Sequence, residues 1–201
     1  MVEMESLQIL IAHSNSETLQ LIRKAVLKQG HQIMGAVQTG EEIIQACASQ
    51  LPDIVISGVR MPDIDGIRAL TLIGKETPVP GIIVTPKSDL ELVETAALDH
   101  IMAWLVEPIR MVDLGPAILL VHRRAAEFAD LRKENQDLRV ALNDRKIIEQ
   151  AKGILMKTAG LDEGTAFRQL QKIASRKRTK LVEIAQAIIT AEGAFDLIQD
   201  G

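Results

Sequence analysis

Two folds follow one another in this sequence: a doubly wound α/β domain and a small all-α module, joined by a long helix. Three observations predict this. Short, near-continuous apolar runs alternate five times with segments whose apolar residues recur at helical spacing, a heptad pattern takes over near Val121, and the charge changes sign between the halves. Residues 1–120 hold 8 Lys and Arg against 15 Asp and Glu, a net −7, whereas residues 121–201 hold 15 against 12, a net +3. The overall −4 conceals a second half suited to a polyanion.

The first strand is residues 7–12 (LQILIA), and residues 16–28 form a helix with Leu19, Ile22 and Val26 on one face. The alternation recurs at 32–37, 41–48, 54–57, 67–73, 81–85, 89–97 and 101–106. Thr39 with Glu42, Ser88 with Glu91, and Ser14 with Glu17 have the spacing of helix-starting caps. Strands that are apolar at successive positions are buried on both faces, which predicts a five-stranded parallel sheet covered by helices on each side. Ligand chemistry on such a sheet belongs at the carboxyl ends of its strands.

Composition excludes several function classes. Aromatic residues are 2% of the chain, too few to build a stacking platform for bases. Cys47 is the single cysteine, so neither an internal disulfide nor a cysteine-rich zinc site is available. No apolar run is long enough for a membrane span and no signal peptide opens the chain, which predicts a soluble cytoplasmic protein. Nucleophile-base pairs, Gly-rich phosphate loops and metal-ligand clusters are missing, so neither an enzyme nor a metal or cofactor site is expected.

At the strand ends, Pro52-Asp53-Ile54-Val55-Ile56-Ser57-Gly58-Val59-Arg60-Met61-Pro62, then Asp65-Gly66, Thr85 and Glu107-Pro108, resemble the response-regulator receiver domain (CheY-like, flavodoxin-like) over residues 5–120. The resemblance implies magnesium and a phospho-accepting aspartate, helped by an acidic pair and a lysine. Here His13 and Ser14 replace the acidic pair, Gly58 the acceptor and Glu107 the lysine; Thr85 alone is retained. Glycine has no carboxylate to form an acyl phosphate, and magnesium needs oxygen ligands. A pseudo-receiver with no phosphorylation site is expected. His13 is expected at the surface, Asp65-Gly66 as turn chemistry, and Trp104, at the family's switch-aromatic position, as sheet packing. The fourth and fifth helices with the last strand form the family's pairing surface.

From 121 to 145 a heptad places Val121, Phe128, Asn135 and Leu142 at a, and Arg124, Leu131, Leu138 and Arg145 at d. A single Asn at a fixes the register of a parallel pair. Glu127 with the partner copy's Arg132, and Glu134 with its Arg139, are attractive g-to-e pairs. A homodimer through Phe128, Leu131, Asn135, Leu138 and Leu142 is expected. A helix from about residue 111 to 157 would be roughly 70 Å long.

Three short helices follow in residues 138–195. Ile147, Ala151, Ile154 and Leu155 form the first apolar face, ended by Ala159-Gly160. Asp162 caps a second with Ala166, Phe167, Leu170, Ile173 and Ala174 inward, and Thr179 a third with Leu181, Ile184, Ala185 and Ile188 inward. Five cations, Lys172, Arg176, Lys177, Arg178 and Lys180, fall within nine positions. Arg145-x-x-Ile148-x-Gln150-Ala151-Lys152-Gly153-Ile154-Leu155-Met156, Ala166-Phe167-x-x-Leu170, Ala174 and Lys180-Leu181-x-x-Ile184-Ala185 together resemble the ANTAR family, the RNA-binding module of antitermination regulators. The resemblance implies binding to two neighbouring stem-loops with six-base loops in nascent mRNA, which keeps a terminator hairpin from forming. Arg145, Gln150, Lys152, Gly153, Lys157, Arg168, Arg176, Lys177, Arg178, Thr179 and Lys180 stand outside the apolar positions as RNA-facing candidates. The cations would meet phosphates, and Gln150 and Thr179 bases or sugars. Gly153 also suits close helix packing, and Arg178 stands where the family often has Asn. The expectation is an RNA-binding antiterminator, dimeric, whose pseudo-receiver answers to dimer state, a sensor protein or a small-molecule ligand. The alternatives are a sequestration module of a sensor complex and a DNA-binding response regulator.

Overall fold

The computed structural model describes residues 5–75, 77–89, 91 and 100–199, with side chains to residue 194 in the last helix. It divides into two compact units, Met1–Ala129 and Asp130–Gly201.

The first unit runs β1 (Gln8–Ala12), α1 (Ser16–Lys28), β2 (Gln32–Val37), α2 (Gly40–Ser49), β3 (Ile54–Gly58), α3 (Gly66–Gly74), β4 (Gly81–Thr85), a 3-10 turn (Lys87–Asp89), β5 (Ile101–Val106) and the start of α4 (Met111–Ala159). The strands pair in the order β2-β1-β3-β4-β5, all parallel. Alternation along each strand divides the core in two. Ile9, Ile11, Ile54, Ile56, Ile82 and Val84 face α1 and the first turns of α4, where Leu114, Ile118 and Val121 are buried. Leu10, Val55 and Ile83 face α2 and α3, meeting Ile43, Cys47 and Leu70. Trp104 is half-buried and packs on this second layer.

The caps expected from sequence hold in part. Thr39 and Glu42 form the reciprocal capping box of α2; Asp65, expected only as turn chemistry, caps α3. Ser14 does not cap α1. Asn15 does, its side chain accepting from the amides of Glu17 and Thr18, while the Ser14 hydroxyl donates to the Arg60 carbonyl. Several cap formers stand in a row there, and spacing alone could not choose among them. The Ser88 hydroxyl donates to the Asp89 carboxylate inside the 3-10 turn. Most of the helix expected at 89–97, and the pairing surface that includes it, lies outside the described residues.

In the second unit, α4 continues to Ala159 and ends at Gly160, whose φ is +64°. It is followed by α5 (Glu163–Lys177) and α6 (Leu181–Gln199). Ala151, Leu170, Ala174, Ile184 and Ala185 form the shared core. Asp162 caps α5 as expected. Ile173, placed inward by periodicity, is exposed. Thr179 does not cap α6: the helix begins at Leu181, and the Lys180 carbonyl just before it accepts from the Glu183 and Ile184 amides. The Thr179 hydroxyl instead bonds the Glu183 carboxylate.

Candidate functional site

Strand order changes direction between β1 and β3, and the crevice at their carboxyl ends is where a ligand would sit on this sheet. His13 follows β1, Gly58 ends β3, Thr85 ends β4 and Glu107 follows β5. The structure therefore gathers all four residues at one edge. A Cβ built on Gly58 would stand 2.8 Å from His13 Cδ2, so the imidazole occupies the space above the acceptor position. His13 is 6% exposed, contrary to the surface placement expected from sequence. Its Nδ1 accepts from the Asn15 amide at 3.0 Å, and its Nε2 lies 3.3 Å from Glu107 Oε1. Nδ1 as acceptor leaves the proton on Nε2, which donates to the Glu107 carboxylate. Burial lowers the His13 pKa from its ordinary value, and the Glu107 carboxylate opposes that shift.

Neighbouring groups are also engaged. The Arg60 guanidinium holds Asp89 through two hydrogen bonds of 2.6 Å, tying the loop after β3 to the turn after β4. That guanidinium also lowers the Asp89 pKa. Asp63 accepts from the Gly40 and Glu41 amides at the start of α2. The remaining cleft, about 210 Å3, is lined by His13, Ser14, Asn15, Arg60, Pro86 and Glu107. The residues do not fit magnesium. Both imidazole nitrogens are used, Ser14 is bonded elsewhere, and Glu107 supplies the single carboxylate of the cleft lining. No group of three or more metal-ligating side chains occurs among the described residues.

In the second unit the sequence-selected residues separate into two groups. Arg145, Gln150, Gly153, Lys157, Arg168, Arg176, Lys177, Arg178 and Lys180 are exposed, and Thr179 is half-buried. Along α4, Gln150, Gly153 and Lys157 follow at helical spacing on one face. A Cβ on Gly153 would meet nothing within 4 Å, so close helix packing is not the reason for this glycine. Arg178 adopts the left-handed conformation, φ 53° and ψ 43°, its amide bonding to the Ala174 and Ser175 carbonyls, and the Thr179 amide also bonds to Ala174. An asparagine would hold this position at lower cost, since it tolerates that region better than arginine.

Lys152 is the correction. Sequence periodicity leaves it outside the core, yet it is 7% exposed and its ammonium is bonded to Glu149 and Glu163. The spacing of Glu149 and Lys152 was visible in the sequence, but Glu163 comes from the next helix.

Val121, expected at the first a position, is instead buried in the core of the first unit, because the start of α4 packs on the sheet; the apolar seam positions after it are uncovered by the chain itself. Leu131, Leu138 and Leu142 are 61%, 63% and 57% exposed, and Phe128 is 41% exposed. Among the described residues no helix is long and apolar enough to cross a membrane.

The family model described as "Response regulator receiver domain" matches residues 9–118, and that described as "ANTAR domain" matches residues 136–189. The transcriptional regulatory protein PdtaR of Mycobacterium tuberculosis is 33% identical over 186 residues, 92% of this chain and 91% of that protein. The DNA-binding transcriptional regulator NtrC of Escherichia coli is 33% identical over 107 residues, 53% of this chain and 22% of NtrC. Among solved structures, a receiver-domain protein from Clostridium thermocellum superposes with a TM-score of 0.55 at 27% identity, covering 60% of this chain and 98% of that one. With a receiver domain over residues 9–118, an ANTAR domain over 136–189 and a relative 33% identical over 92% of this chain, the protein belongs to the ANTAR-domain response regulators.

Proposed function

We propose that this protein is a dimeric, cytoplasmic RNA-binding antiterminator. Its module at 138–195 holds two neighbouring stem-loops with six-base loops in nascent mRNA, and its pseudo-receiver at 5–120 regulates that binding without being phosphorylated. The observation that carries the reading is the ANTAR match over 136–189, on a module whose α5 ends in the exposed cations Arg176, Lys177 and Arg178. Unstacked loop bases offer edges that duplex RNA hides, and cations on a helix end meet the flanking phosphates. No catalysis is assigned to the chain.

Dimerisation through residues 121–145 is supported by the exposed Leu131, Leu138 and Leu142 beside Asn135. Two modules on one dimer raise the effective concentration at a second stem-loop when the spacing fits. Loss of phosphate chemistry is supported by His13 filling the space above Gly58 and by Glu107 in place of a lysine. Control then falls to dimer state, a sensor protein or a small ligand.

Sequencing of RNA crosslinked to the protein in its host tests the reading. Paired six-base loops upstream of terminators are expected, and recovery of random RNA alone refutes it. In titrations, Arg176→Ala and Lys177→Ala should weaken binding to the two-stem-loop RNA and each reduce the dependence of log K on log salt by about 0.7 to 1. Tighter binding to duplex DNA than to loop RNA would favour a DNA-binding regulator.

A further inference from the structure

Lys152 is nearly enclosed, and a lysine is almost never fully buried unless it is paired. Its Nζ lies 2.9 and 2.8 Å from the two Glu149 carboxylate oxygens, one turn back on α4, and 2.7 Å from Glu163 Oε1, in the first turn of α5. The Phe167 ring closes the site, its centroid 6.0 Å from Nζ. An ammonium has three donors and no more. Two carboxylates lie against it, and with the Phe167 ring they enclose it, so a phosphate would have to displace one of them. The two carboxylates would also repel an incoming phosphate.

The placement of Glu163 gives the contact its reach. It is the first residue of α5, directly after the Asp162 cap, so the ammonium joins α4 to the point where α5 begins. Fourteen residues on, the same helix ends at Lys177, followed by the left-handed Arg178. A helix is stiff over that length, so the tie at its first turn bears on where its last turn stands.

We infer that Lys152 is a positioning residue of the RNA-binding module and not an RNA ligand: it fixes α5 on α4 through Glu149 and Glu163 and thereby sets where Arg176 and Lys177 meet RNA. This rests on the RNA-binding reading above. The raised pKa that the Glu149 and Glu163 carboxylates give Lys152 agrees with an ammonium held charged.

Amine acylation of the full-length protein, free and bound to a two-stem-loop RNA, tests the inference, with modified lysines located by mass spectrometry. Lys152 should react slowly in both states, whereas Lys157, Lys177 and Lys180 should react quickly when free and be shielded by RNA. Lys152→Met, titrated well below its melting temperature, should bind about tenfold more weakly, the scale of one lost charge-assisted contact, with stoichiometry and salt slope unchanged. A merely structural role would lower the active fraction and leave the affinity of the folded fraction alone. Fast acylation of Lys152 that RNA suppresses, or a salt slope reduced by about one, places Lys152 on the RNA and overturns the inference. So does wild-type affinity in Lys152→Met. If that variant does not fold, the acylation pattern of the unmodified protein still decides. Failure of the unmodified protein to bind the RNA at all instead overturns the functional reading, and slow acylation of free Lys152 would stand independently.

Discussion

His13 and Gly58 face each other at the carboxyl edge of the sheet so closely that a Cβ on Gly58 would lie 2.8 Å from His13 Cδ2. Receivers carry an aspartate at the Gly58 position, and here the imidazole fills that space while its Nε2 is held by Glu107 at 3.3 Å. Returning the carboxylate alone does not return the chemistry. Gly58→Asp should destabilise the first unit by about 1–3 kcal/mol through overpacking. Like the unmodified protein, it should take up no phosphate from acetyl phosphate with magnesium. Intact-mass measurement checks both, and a stoichiometric acid-labile phosphate on the unmodified chain refutes the pseudo-receiver.

Two of the first unit's buried histidines, His13 and His31, give it a pH dependence of one sign. Burial lowers the pKa of His13, and burial with the nearby His122 charge lowers that of His31, each from 6.5. A base with a folded pKa below its unfolded value binds fewer protons when folded, so its contribution to stability is complete above about pH 6.5 and is lost as pH falls below it. Urea midpoints of the first unit should therefore fall between about pH 7.5 and pH 5. His31→Asn should flatten the dependence. A midpoint constant over that range counts against neutral buried histidines.

Gly153 sits within α4, near its C-terminal end, with open space where a side chain would be. Gly153→Ala should stabilise the second unit by about 0.5–1 kcal/mol, the helix-interior difference between these residues. If RNA approaches the backbone there, the same variant should bind the two-stem-loop RNA more weakly. A melt and a titration on one sample separate the effects. A variant both more stable and unchanged in binding removes Gly153 from the interface.

Arg178 holds a left-handed conformation that costs a side chain other than Gly or Asn roughly 1 kcal/mol. Arg178→Gly should raise the melting temperature of the second unit. It should also reduce the salt slope of RNA binding by about 0.7 to 1, since one cation is removed. A slope that does not change assigns Arg178 to the turn alone.

Leu131 and Leu138, each more than 60% exposed, are the proposed dimer seam. Leu131→Asp with Leu138→Asp should give a monomer by sedimentation velocity, because a charge at d is desolvated against its copy. Binding to two linked stem-loops should then fall to that of a single loop. A dimer that survives both changes is held elsewhere.

Sequence alone determined the elements whose pattern is local: unbroken apolar strands, helical spacing in α1 to α3, the Asp162 and Thr39 caps, and the chemistry missing at Gly58. These are legible because a strand buried on both faces must be apolar throughout and a glycine cannot carry a carboxylate. Only the tertiary structure decided what replaced that chemistry. His13 is separated in sequence from Gly58 by 45 residues and from Glu107 by 94, and its burial depends on three strand ends converging. The same holds for Lys152, which periodicity places outside the core and Glu163 draws under α5. A charge's role is set by the carboxylates that reach it across helices, and no spacing along one helix records that.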